Sequence, residues 1–93
     1  MTIRPVALLV VDDDDALGGM LCEAARMRGY RAESAASLGA TDAALTRGTL
    51  DVALVDLTFG AESGFVVIRR IKDQSPDTEI VVMSASTSLS SAI

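Results

Sequence analysis

Val6-Ala7-Leu8-Leu9-Val10-Val11-Asp12-Asp13-Asp14-Asp15 decides the fold: an unbroken apolar run passes directly into four aspartates. A strand with one wet face alternates apolar and polar residues. This run does not, so it is predicted to be buried on both faces, as in a parallel sheet covered by helices. Behind the aspartates, Leu17, Met20, Leu21, Ala24 and Met27 recur at helical spacing, and Gly29 after Arg28 is a stop. A first helix with that apolar face follows, with Asp14 and Asp15 as helix-start residues. Gly18 and Gly19 fall inside its first turns at about 1 kcal/mol each relative to Ala, and propensity gives no reason for them.

Further along, residues 30–35 alternate weakly, as a short edge strand does, and Ser37 is placed to cap a helix carrying Leu38, Ala44 and Leu45 that stops at Gly48. Residues 51–57, apolar but for Asp51 and Asp56, make a third strand. A loop with Gly60 and Gly64 leads to a helix over 65–74, whose Phe65, Ile68 and Ile71 share one face, and Pro76 keeps it from continuing. Residues 79–84 form a fourth strand and 87–93 open a fourth helix. Strands alternating with helices across short loops give right-handed βαβ units, hence an α/β doubly wound parallel sheet.

The chain has 93 residues without a break in composition, which is one domain. Hydrophobic residues make up 49% and aromatic residues 3%, so the core is aliphatic. A net charge of −5 without a basic run argues against direct nucleic-acid binding, which rests on Lys and Arg against phosphate. The single Cys22 lies in an apolar helical pattern and reads as a small core residue, in keeping with a reducing cytoplasm. The N-terminal apolar run is too short for a signal peptide or a membrane span. A soluble cytoplasmic protein is the expectation.

Ligands of open α/β sheets bind outside the carboxyl ends of the strands, where strand order reverses. Here the first strand ends in Asp12 and Asp13, the third in Asp56 and the fourth in Ser84. Each has an ordinary reading when taken alone: a turn residue for Asp56, an acidic first helical turn for residues 12–15. Together they are carboxylates that repel one another in a cleft unless a cation lies among them. Oxygen-only ligands point to Mg²⁺. A carboxylate beside Mg²⁺ is also a nucleophile toward phosphorus, with Ser84 in place to hydrogen-bond the transferred group.

Val10-Val11-Asp12-Asp13-Asp14, then Val55-Asp56-Leu57 with Gly64 eight residues after Asp56, then Val82-Met83-Ser84-Ala85, together resemble the receiver domain of two-component response regulators. Residues 56–64 resemble in particular the receivers of redox-responsive regulators that pair with a small helix-turn-helix output domain. The resemblance implies a flavodoxin-like sheet of order 2-1-3-4, with residues 1–93 forming an incomplete receiver that ends in the fourth helix. It implies that Asp56 accepts a phosphoryl group from the phosphohistidine of a sensor histidine kinase. Mg²⁺ would be held by Asp12, Asp13, Asp56 and the Thr58 main-chain carbonyl, with Ser84 as the switch hydroxyl. A DNA-binding output domain or protein outside this chain is the implied partner.

The family pattern has Pro where Gly60 stands, and it continues through a fifth strand whose terminal Lys contacts the phosphoryl group. No lysine follows Lys72 here. A receiver without its fifth strand leaves the fourth as an apolar edge, so a homodimer paired through residues 80–83 is expected. Two other readings compete with a phospho-accepting signalling module that is not a turnover enzyme. One is a receiver-like fragment acting by protein contact without phosphorylation. The other is a haloacid-dehalogenase-like phosphatase, suggested by the Asp12-x-Asp14 pair after a strand, although that fold needs a later Lys and a further acidic pair.

Overall fold

The computed structural model describes residues 4–58 and 63–83. Its elements run β1 (Ala7–Val11), α1 (Asp15–Met27), β2 (Arg31–Ala35), α2 (Leu38–Thr46), β3 (Val52–Asp56), α3 (Gly64–Gln74) and β4 (Glu79–Met83). All strand pairs are parallel, in the order β2-β1-β3-β4. That is the doubly wound α/β sheet expected from the apolar strands. Ser84, Gly60 and the expected helix over 87–93 lie outside the described residues.

Alternation within β1 sends neighbouring side chains to opposite sides of the sheet. Leu9 and Val11 join Ala53, Val55, Val67 and Ile71 in a core beneath α2 and α3, whereas Val10 packs with Cys22, Ala25 and Ala32 beneath α1. Leu9, Val10, Val11, Val55, Val67 and Ile71 are fully buried, and each contributes about 1.5–3 kcal/mol of hydrophobic stabilisation. The run that opens the chain is therefore buried on both faces because helices cover both.

Local signals set the helix ends. The Asp14 side chain accepts from Leu17 N–H, the Ser37 hydroxyl oxygen from Ala40 N–H and the Ser63 hydroxyl oxygen from Phe65 N–H. Gly29 and Gly48, just past α1 and α2, have φ of 91° and 146°, values that close a helix and that L side chains rarely adopt.

Two expected helix faces are displaced. On α1 the buried residues are Gly18, Cys22 and Ala25, while Met20 and Met27 are 69% and 82% exposed. The helix lies against β2 on its small residues: a Cβ on Gly18 would meet the Ser34 Cβ at 3.3 Å. Close approach selects small side chains and turns the methionines outward, which also accounts for Gly18. Nothing in the structure explains Gly19, around which there is open space. On α3 the buried face is Gly64, Val67 and Ile71, with Ile68 partly buried; Phe65 is 66% exposed.

At the amino ends of the strands, Asp51 binds the Arg4 guanidinium through both carboxylate oxygens at 2.9 Å and accepts from Ala7 N–H at 2.8 Å. The Arg4 hydrogen bonds, then the Ala7 amide, hold its carboxyl down at about 2. This pair fastens the chain before β1 to the entry of β3, at the opposite end of the sheet from Asp12 and Asp56.

Candidate metal and phosphoryl site

After β1 and β2 the chain crosses back so that β3 pairs with the other side of β1. The reversal falls between β1 and β3, where an open parallel sheet leaves a crevice at its carboxyl edge. Val11 is in register with Val55. The residues that follow, Asp12 and Asp56, therefore leave adjacent strands at the same level. Asp13 comes next, where the chain turns toward α1. One ligand oxygen from each of Asp12, Asp13 and Asp56 lies within 4.8 Å of the others, with Asp12 and Asp56 buried and Asp13 exposed.

The turns beyond the strands hold these carboxylates by their own backbones. Asp12 Oδ1 accepts from Asp14 N–H at 2.9 Å, and Asp12 N–H donates to the Ala35 carbonyl at 3.1 Å. Asp56 Oδ1 accepts from the Thr58 N–H at 3.0 Å and the Thr58 hydroxyl at 2.9 Å. Gly64 fixes the far side of the turn. Its N–H donates to the Leu57 carbonyl at 3.1 Å, and a Cβ there would lie 2.3 Å from the Asp56 carbonyl oxygen. Only glycine lets α3 begin this close to the end of β3.

Burial raises the Asp12 pKa. The Asp14 amide opposes that shift, and the charges of Asp56, Asp13 and Asp14 add to it. The site is therefore short of positive charge. A hard cation with oxygen preference suits a donor set made of carboxylates alone.

Asp12, Asp13 and Asp56, expected from the sequence to share a site, are brought together. Thr58 stands beside Asp56, and Ser84 lies outside the described residues, one position beyond the Met83 that pairs with Asp56. Asp14 is turned to the α1 N-cap and has no place in the cluster. Sequence reasoning missed the Thr58 side chain, whose only signal is a hydroxyl two residues after a strand-end aspartate.

A parallel α/β sheet with an acidic triad at its topological switch defines a flavodoxin-like fold with a candidate cation site. The chain belongs to the response regulator receiver domain family, which it matches over residues 8–93. It is 30% identical over 87 residues to the photosynthetic apparatus regulatory protein RegA of Rhodovulum sulfidophilum, covering 94% of this chain and 48% of that protein. It is 31% identical over 86 residues to the DNA-binding transcriptional regulator NtrC of Azospirillum brasilense, covering 92% and 18%. The chain thus spans about half the length of RegA. Among solved structures, a response regulator protein from Burkholderia pseudomallei with a phosphorylated aspartic acid, a calcium ion and citrate superposes with a TM-score of 0.83. The identity is 28%, and the match covers 94% of this chain and 51% of that one. No helix among the described residues is long and apolar enough to cross a membrane.

The raised pKa fixes a sign. An ionised Asp12 is less stable in the folded chain than in the unfolded one. That penalty is absent well below the ordinary value of 3.8 and is complete once the pH has passed the raised value. Asp12→Asn should therefore melt higher than the parent chain at neutral pH without divalent cations, by on the order of a few °C. The difference should vanish as the pH falls below the carboxylate range, and saturating Mg²⁺ should remove it. Thermal melts across pH, with and without Mg²⁺, check this; a variant less stable at neutral pH without cation contradicts the repulsion.

Proposed function

We propose that this chain is a phospho-accepting receiver module in which Asp56 takes a phosphoryl group from a partner histidine kinase with the help of Mg²⁺. The gathering of Asp12, Asp13 and Asp56 oxygens within 4.8 Å supports this reading most directly. The solved B. pseudomallei response regulator holds a phosphorylated aspartic acid together with a calcium ion and citrate. Asp12, Asp13, Asp56 and the Thr58 carbonyl would hold Mg²⁺, which supplies positive charge to the transferring phosphoryl oxygens. Ser84 is the candidate hydroxyl for one of those oxygens. These 93 residues hold no histidine, so the phosphohistidine donor lies outside them.

An Asp56 carboxylate oxygen forms the new P–O bond as the P–N bond of the donor breaks, and the electron pair leaves with the imidazole. The product is a mixed anhydride that adds negative charge to an already acidic site. Conformational readout by an output domain or a partner protein follows from that added charge. The chain works as a cytoplasmic signalling switch rather than a turnover enzyme, and the RegA and NtrC relatives favour transcription as the output.

Incubation with acetyl phosphate and Mg²⁺ followed by intact-mass and peptide mapping tests the assignment. One added phosphoryl group on Asp56, absent from Asp56→Asn and abolished by a chelator, is expected. Phosphate on Asp12 moves the chemistry to the phosphatase-like reading, and no uptake at all favours a receiver that works by protein contact alone.

A further inference from the structure

Thr58 grips the Asp56 carboxylate from one side only. Its amide and its hydroxyl both donate to Oδ1, at 3.0 and 2.9 Å. A carboxylate oxygen offers two lone pairs, so Oδ1 is filled, while Oδ2 accepts no hydrogen bond among the described residues. The amide contact is available to any residue in this turn. The hydroxyl contact requires Ser or Thr at position 58.

Two reactants need Asp56. A cation among Asp12, Asp13 and Asp56 draws on one carboxylate oxygen, and phosphorus must reach another. While Oδ1 is filled, both demands fall on Oδ2. We propose that the Thr58 hydroxyl is a positioning group that closes Oδ1 to divalent cations in the resting site and must give up that oxygen when the cation loads, leaving Oδ2 for phosphorus. The inference rests on the reading of Asp12, Asp13 and Asp56 as a cation and phospho-acceptor site. Thr58 thereby sets the cation concentration at which the receiver becomes competent, without itself bonding to phosphorus.

Mg²⁺ titrations followed by amide NMR, on the parent chain and on Thr58→Val, Thr58→Ala, Thr58→Ser and Asp13→Asn, test this. Removing a hydrogen bond that competes for a charged oxygen should tighten Mg²⁺ binding about tenfold in Thr58→Val and Thr58→Ala, with Thr58→Ser within about twofold of the parent. The half-maximal Mg²⁺ for phosphorylation by acetyl phosphate should fall by the same factor in Thr58→Val and Thr58→Ala. A merely structural role for Thr58 would not tighten Mg²⁺ binding in those two variants and leave Thr58→Ser parent-like. Should Thr58→Val not fold, Thr58→Ala carries the test. Parent-like or weaker Mg²⁺ binding in the variants without the hydroxyl overturns the proposal while Asp13→Asn still loses the ion. Parent-like binding in Asp13→Asn overturns the cation site itself, and with it the role given to Thr58.

Discussion

The parallel register between β1 and β3 is the constraint on which the rest of the structure depends. Pairing Val11 with Val55 brings the ends of two buried strands to one level, and each strand continues into an aspartate. The carboxylates do not come together by attraction. Hydrophobic burial beneath α1 on one side and beneath α2 and α3 on the other drives the strands together, and the repulsion between the charges is carried as a cost of that packing. A one-residue slip of β1 against β3 would exchange its two faces between the cores and separate Asp12 from Asp56.

Stability and function pull in opposite directions at this edge. The raised Asp12 pKa records the cost of a buried, crowded carboxylate. The same crowding suits the proposed role: a cation would offset the repulsion, and phosphorylation would restore negative charge. The turns keep the carboxylates from relaxing apart, through the Asp14 amide on Asp12, the Thr58 grip on Asp56 and the tight start of α3 at Gly64. Preorganisation of this kind is inexpensive when backbone amides provide it, because the turns form whether or not a ligand is bound.

Much of this was legible in the sequence, and the reasons are specific. Unalternated apolar runs identified buried parallel strands, Ser37 marked a helix start, and the aspartates at strand ends pointed to the switch-point crevice. Helix orientation was less legible. Apolar periodicity gave α1 a face of Leu17, Met20, Leu21, Ala24 and Met27, of which Leu21 packs partly buried against the core, but the buried residues are Gly18, Cys22 and Ala25 because a helix lying close to a sheet needs small residues beneath it. Phe65 was misjudged for a related reason: the first turn of α3 buries Gly64 against the end of β3, which rotates the ring outward. The Arg4 and Asp51 pair joins residues far apart in sequence, and no local pattern announces it. Nor does a single threonine announce which carboxylate oxygen it fills.

Diffraction from crystals soaked in Mn²⁺, with data collected to reveal its anomalous signal, tests the cation site most directly. One peak within coordination distance of Asp13 and Asp56 carboxylate oxygens and the Thr58 carbonyl, lost in Asp13→Asn, is the expected result. An ion bound only at Glu23, Glu33 or Glu79, with none at the carboxyl ends of β1 and β3, would contradict it.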